Sequence, residues 1–235
     1  MAGIGDLHST LVSVLRLGRG STVSPARVQP VRMLELYEYE ACPFCRKVRE
    51  TLTELDVDWL CHPCARGSRH RETAIKLGGK TQFPLLFDPS TNTHLYESED
   101  IITWLHATFG EPRNPISRQL APANTFLSFA ASGVRPRGRV VREDIKDRAE
   151  PAIPLELYTF EACPYCRKVR ETLTELDITF VVHNVGHGSL KRQELIHRGG
   201  KFQVPYLVDP NTRREMYESD DIIQYLEEMY GPPKP

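Results

Sequence analysis

From Leu34 to Gly110 the chain repeats itself without a gap from Leu155 to Gly231, and more than half of the aligned positions are identical. The landmarks keep one constant offset. Gly78-Gly79-Lys80 recurs as Gly199-Gly200-Lys201, Asp88-Pro89 as Asp209-Pro210, and Tyr96-Glu97-Ser98 as Tyr217-Glu218-Ser219. A repeat of this length is a domain-sized unit rather than a single supersecondary element. A chain of 235 residues has room for two such units and little else.

A fainter echo precedes each unit. Leu11 to Gly20 is an apolar stretch that ends in Arg19-Gly20, and Phe126 to Gly138 ends in Arg137-Gly138. A cleavable targeting peptide has no reason to recur between domains. Residues 1–31 are therefore read as an apolar segment belonging to the fold, 32–112 as the first domain and 154–235 as the second. Residues 113–153, rich in Pro, Arg and Gly, form a linker carrying the same apolar and Arg-Gly element. The rival reading, an Arg- and Ser-bearing transit peptide over residues 1–30, would place the protein in an organellar stroma rather than the cytoplasm. The apolar run Leu11-Val12-Ser13-Val14-Leu15 is too short for a membrane span. A net charge of −1 supplies no overall field to recruit nucleic acid or an anionic membrane.

Each unit carries one Cys-Pro-aromatic-Cys at the same place: Cys42-Pro43-Phe44-Cys45 and Cys163-Pro164-Tyr165-Cys166. In both, a strand-like run (Leu155-Glu156-Leu157-Tyr158 in the second) leads into the motif and a helix-like run follows it. A thiol at a helix N-terminus faces unpaired N–H groups and the positive end of the helix dipole, which favours the thiolate. Arg46 and Lys47, or Arg167 and Lys168, add positive charge nearby. The second thiol lies one turn on, within reach of the first. Such paired thiols, in six cysteines without a secretory signal, imply working thiols in a reducing compartment.

The rest of the second unit reads strand, helix, strand, helix, strand, strand, helix. The expected strands are Leu155–Thr159, Ile178–Val182, Tyr206–Val208 and Glu215–Tyr217, the last two joined as a hairpin by Asp209-Pro210-Asn211-Thr212. Pro164 opens the first helix, where its missing N–H is harmless. Ser189 caps the second helix, which ends at Gly199-Gly200. Ser219 caps the third, with Ile222, Ile223 and Leu226 inward. The expected class is α/β, each unit a mixed four-stranded sheet with three helices.

These residues resemble the thioredoxin fold in its glutaredoxin and glutathione S-transferase N-terminal-domain form, twice over. The resemblance rests on the Cys-Pro-x-Cys helix start, on Phe83-Pro84 and Val204-Pro205 where the family keeps a cis-proline beside the active thiol, and on Glu97-Ser98 and Glu218-Ser219 opening the last helix. It implies catalytic Cys42, Cys45, Cys163 and Cys166. It also implies a glutathione site at Phe83, Pro84, Glu97 and Ser98, repeated at Val204, Pro205, Glu218 and Ser219, with Arg71 and Arg192 for the glycine carboxylate. Glutathione would be co-substrate, the other substrate a glutathionylated or disulfide-bearing molecule, and no metal is expected. Tyr39 and Phe160 stand where dithiol glutaredoxins carry a lysine, and the helical second domain of transferases is missing. The leading expectation is a glutathione-dependent thiol–disulfide oxidoreductase. Two alternatives stay open: a glutathione-, metal- or cluster-binding regulatory module without turnover, and a conjugating transferase.

Cys61 and Cys64 occur in the first unit alone, with Val182 and Val185 at the matching positions. They read either as small buried apolar residues or as a second redox pair relaying electrons to the first. The run from Cys42 to Cys64 also fits a four-cysteine zinc spacing. His62 and His183, which repeat, read as hydrogen-bonded structural residues, and Trp104 and Tyr225 as packing residues.

Overall fold

In the computed structural model, residues 19–112, 128–130, 137–145 and 148–232 are described. The apolar stretch that begins at Leu11 and most of the one that begins at Phe126 lie outside them. Among the described residues no helix is long and apolar enough to cross a membrane.

The first unit runs β1 (Leu34–Glu38), α1 (Pro43–Glu54), β2 (Trp59–Pro63), α2 (His70–Gly78), β3 (Leu85–Asp88), β4 (Thr93–Leu95) and α3 (Ser98–Phe109). The second repeats it as β5 (Leu155–Thr159), α4 (Pro164–Glu175), β6 (Phe180–Asn184), α5 (Lys191–Gly199), β7 (Tyr206–Asp209), β8 (Arg214–Met216) and α6 (Ser219–Tyr230). Each half is the expected mixed α/β unit of four strands and three helices. In each, the central strand pairs parallel with the second strand and antiparallel with the third.

Local chemistry sets the element boundaries. Proline stands in the first turn of α1 and of α4, where no backbone donor is lost. Each of these helices is followed by an aspartate at positive φ, Asp56 at 55° and Asp177 at 53°. Asp tolerates that conformation better than most residues. The hairpin turns are held by their own carboxylates: Asp88 accepts from the Ser90 N–H and Asp209 from the Asn211 N–H.

Several boundaries differ from the sequence expectation. β6 begins at Phe180, because Thr179 gives its N–H to the Glu150 carboxylate instead of to the ladder. β8 ends at Met216, its register fixed by Asp209 facing Arg214. The cap position of α5 is held by Leu190, with no side-chain cap bond, not by Ser189, which lies one residue earlier and accepts the Lys191 N–H at 3.2 Å. Ser219 is the first residue of α6 rather than its cap. The flanking Glu218 takes that place at a φ of 67° and makes no side-chain cap bond.

The two halves form one sheet. Its strand order is β4-β3-β1-β2-β6-β5-β7-β8, with β2 and β6 paired antiparallel through Trp59–Val182, Leu60–Val181 and Cys61–Phe180. One apolar core crosses the seam, from Leu36 and Leu52 through Trp59, Cys61, Phe180 and Val182 to Leu157 and Leu173. Smaller clusters cover the other face of each half, Tyr37, Cys64, Ala74 and Leu85 in the first and Tyr158, Val185, Leu195 and Tyr206 in the second.

Two straps cross over. Gly20, which precedes the first unit, accepts at its carbonyl the N–H of Ala162, the residue before Cys163. The strap then bonds Ser21 and Val23 to His187 before Ser24 and Ala26 return to the end of α1. Gly138 in the linker accepts the N–H of Ala41, the residue before Cys42, and the chain continues past Arg66 to Glu175 at the end of α4. Each Arg-Gly element thus lies under the cysteine loop of the half that does not follow it.

Candidate functional site

Cys42 and Cys163 are the N-cap residues of α1 and α4. The sulfur of Cys163 accepts the Cys166 N–H at 3.4 Å, and that of Cys42 the Cys45 N–H at 3.3 Å. Those bonds favour a negative sulfur. For Cys163 the Cys166 thiol is the strongest influence; it and the backbone donors outweigh burial, and with the charge of Arg170 they pull the thiol from 9.0 down to about 7. For Cys42 burial is the largest influence and pushes upward, with the charge of Glu38 on the same side. The hydrogen bonds from Cys45 and Phe44 still leave the thiol lowered. Cys45 and Cys166 are fully buried, and burial followed by the first cysteine of each pair pushes both well above the ordinary thiol value.

The cation that ranks among the leading influences on Cys163 is Arg170, further along α4 than the Arg167 and Lys168 that adjoin the motif. Lys47 pairs with Glu99 and Lys168 with Asp220, at the start of the last helices. Arg46 and Arg167 are buried beneath the loop, Arg46 Nε lying 3.9 Å from Glu161 and Arg167 Nη2 donating to the Glu161 carbonyl. The charge that favours the Cys163 thiolate is Arg170, one turn further on. Arg170 Nε donates to Glu40 of the other half at 3.0 Å, and Arg49 Nε donates to Glu161 at 2.9 Å. Sequence reasoning missed this crossed set, although Glu40, Arg49, Glu161 and Arg170 stand in the most strictly repeated stretch and a buried role for four charges was the available signal.

Both X-Pro bonds, Phe83–Pro84 and Val204–Pro205, are cis. A cleft of about 550 Å³ lies between the second motif and the last helix, lined by Tyr165, Gln203, Val204, Pro205, Glu218 and Ser219, with Asp220 and Asp221 at its acidic end. Its size suits a small ligand. Gln203 donates to the Glu218 carboxylate at 2.5 Å, and Gln82 bonds Glu97 likewise in the first half. Neither glutamine was singled out from the sequence. In the first half Phe129 of the linker packs edge-on against Phe44, ring centroids 5.1 Å apart, while Ser128 Oγ donates to the Pro43 carbonyl.

Arg71 and Arg192 lie beside the two cis-proline loops. Arg71 Nε donates to the Cys64 and Ala65 carbonyls and its guanidinium lies over Phe83. Arg192 Nε donates to the Val185 and Gly186 carbonyls, with its guanidinium 4.1 Å from the Phe202 ring. The Nη2 of Arg192 is buried and meets no acceptor among the described residues.

Cys61 and Cys64 are not brought together. Cys61 lies in the shared core and donates to Glu38 at 3.4 Å, whereas Cys64 joins Tyr37, Ala74 and Leu85 on the other face. Burial raises both thiols. Among the described residues no set of three or more His, Cys, Asp or Glu side chains is arranged to hold a metal ion. His62 bonds Glu35 at 2.9 Å and His183 bonds Glu156 and Asp58. Tyr225 is buried and Trp104 partly so.

A family model described as glutathione S-transferase, N-terminal domain, matches twice, over residues 36–113 and 157–234. Glutaredoxin 3 of Escherichia coli strain K12 is 34% identical over 53 residues, which are 23% of this chain and 64% of that protein. Glutaredoxin 3 of Escherichia coli O157:H7 matches with the same figures, so the chain spans 64% of the length of these curated relatives. Among solved structures, the Bombyx mori glutathione transferase BmGSTD1 aligns at a TM-score of 0.31 and 24% identity, over 41% of this chain and 47% of that one. Leishmania TDR1, a trimeric glutathione transferase, aligns at 0.30 and 14% identity, over 85% and 67%. Matched in both halves and over more than half its length, the chain belongs to the glutathione S-transferase N-terminal domain family and holds that thioredoxin-like domain in tandem.

Proposed function

We propose that the protein is a glutathione-dependent thiol–disulfide oxidoreductase that works on glutathionylated or disulfide-bearing substrates. One observation carries this reading: the Cys163 sulfur, drawn to about 7, caps α4 with the cleft's Tyr165 two residues away in the same motif. A thiol titrating near ambient pH combines a useful thiolate fraction with nucleophilicity.

In this reading the Cys163 thiolate attacks the glutathionyl sulfur of a mixed disulfide. The substrate sulfur leaves as a thiolate and takes a proton from water, and glutathione stays bonded to Cys163. A second glutathione thiolate then attacks that glutathionyl sulfur, forming glutathione disulfide and freeing Cys163. On disulfide substrates Cys163 bonds one substrate sulfur and releases the other as a thiolate. Cys166 then gives up its proton, attacks Cys163 and expels the substrate as a dithiol, and two glutathiones reduce the Cys163–Cys166 disulfide to give glutathione disulfide. The raised Cys166 thiol stays protonated until Cys163 has reacted.

The family's glutathione site supports the assignment of the cleft. The backbone N–H groups at the start of α6 suit the γ-glutamyl carboxylate, Asp220 and Asp221 suit its ammonium group, and the family resemblance assigns the glycine carboxylate to Arg192. The arrangement at Pro84, Glu97, Ser98 and Arg71 would serve the first site in the same way. The test is reduction of a glutathionylated peptide by the purified protein with glutathione and a recycling reductase. Turnover that disappears in the Cys42→Ser/Cys163→Ser double variant is expected. Tight glutathione binding with no turnover would favour a regulatory module instead.

A further inference from the structure

The halves are copies, so each place where the buried charge cluster between them departs from two-fold symmetry is a built-in comparison. The symmetric part consists of Arg49 and Arg170, one from each first helix, and Glu40 and Glu161, one from each cysteine loop. Each arginine reaches across to the other loop. The symmetry breaks at the end of the central strands, where the first half has Glu38 and the second Thr159.

Glu38 is 2% exposed. It receives Arg49 Nη1 on Oε2 and the Cys61 thiol on Oε1, and Cys61 is itself valine in the other half. Arg49 is therefore surrounded by three carboxylates, Glu38, Glu40 and Glu161. Among the described residues Arg170 meets two carboxylates, Glu40 and Glu161, and where Glu38 would be it donates to the neutral Thr159 Oγ1 at 3.0 Å. Arg49 is thus more fully neutralised than Arg170, whose charge acts on Cys163. In a low-dielectric interior one extra carboxylate acts strongly on an ionising thiol.

We propose that Glu38 is a positioning residue that makes the two sites unequal, restraining Cys42 so that Cys163 is the attacking thiol at neutral pH. The proposal deepens the thiol-exchange reading and rests on it. Three further observations agree with it. The charge of Glu38 opposes ionisation of Cys42 and of Cys45. The charge of Arg170 favours ionisation of Cys163. Thr159 hydrogen-bonds Cys166 and eases its ionisation, whereas Glu38 at the matching position opposes that of Cys45. A second asymmetric residue pulls the other way: the Tyr39 hydroxyl faces the Cys42 sulfur, with Arg139 near it, where the second half has Phe160. Burial, Glu40 and Glu161 raise the Glu38 carboxyl while Arg49 opposes them, so the restraint on Cys42 comes from the ionised form of Glu38, which is among the leading influences on that thiol.

The test needs no glutathione, so it stands even where the glutathione reading fails. The reduced full-length protein is alkylated with iodoacetamide over a range of pH, and the rate at each cysteine is read peptide by peptide by mass spectrometry. Cys163 should reach half its plateau rate near pH 7, and Cys42 at higher pH. Glu38→Gln and Glu38→Thr should each lower the Cys42 midpoint toward that of Cys163. Each should also speed its alkylation at pH 7 several-fold, with a smaller change at Cys163. A merely structural role for Glu38 would lower stability without moving one midpoint selectively. A Cys42 midpoint at or below that of Cys163 in the unsubstituted protein would overturn the proposal, as would a midpoint unmoved in Glu38→Gln.

Discussion

The acidity of Cys163 is a stability statement as well as a kinetic one. Its thiol is depressed on folding from 9.0 to about 7, so between those values the unfolded chain binds the extra proton. Stability of the reduced protein should therefore rise as pH increases from about 7 to 9, by about 2–3 kcal/mol from this thiol, and that gain is lost as pH falls through 7. Denaturant unfolding of reduced protein at pH 6.5 to 9 checks this, and Cys163→Ser should flatten the profile. That Cys42 and Cys163 would stand at helix starts was legible from the sequence, because helix-start chemistry is local. The cation acting on Cys163 was not. Arg167 and Lys168 adjoin the motif, yet helical geometry turns Lys168 out to Asp220 while Arg170 points under the loop.

Elements fix the cysteine loops through backbone contacts from the crossed straps. Gly20 sits at a φ of 72°, and a Cβ there would meet the Glu161 Cβ at 2.9 Å. Gly79 also has a positive φ, 78°, but a Cβ there would meet nothing within 4 Å. Gly79→Ala should cost about 1–2 kcal/mol for conformation alone, whereas Gly20→Ala should cost more and also perturb Cys163. Paired urea titrations together with the Cys163 alkylation midpoint distinguish the two. Phe129 is the other contact at this scale: Phe129→Ser should speed alkylation at Cys42 by bulky reagents more than by iodoacetamide, with Cys163 unaffected. The repeated Arg-Gly elements were visible in the sequence. That each serves the other half was not, because repetition fixes what a segment resembles and says nothing about which copy it packs against.

At the scale of the whole molecule, strands β2 and β6 close each other's edges and leave no free edge at the seam. The sequence contained both strands, but either could have stayed a solvent edge. Their choice of partner depends on which surfaces the two units present, which a strand's own residues do not specify. Under the seam the crossed Arg–Glu pairs are fully buried. Removing one partner leaves an uncompensated charge, so Glu161→Gln should destabilise by about 3–5 kcal/mol, and Arg49→Gln added to it should cost much less than on its own. A double-mutant cycle in urea checks that coupling. Glu161 is held down to about 2, burial being outweighed by Arg170 and Arg49. Its contribution is present above the ordinary carboxylate value and is lost as pH falls from about 4.5 towards 2. Acid should therefore open the seam in that window. The measurement closest to the central claim is glutathione-coupled reduction of a glutathionylated peptide by the unsubstituted protein and by Cys42→Ser and Cys163→Ser at neutral pH. Cys163→Ser is expected to lose most of the turnover and Cys42→Ser to keep most of it. Absence of turnover in the unsubstituted protein, or full turnover in Cys163→Ser, would contradict the account.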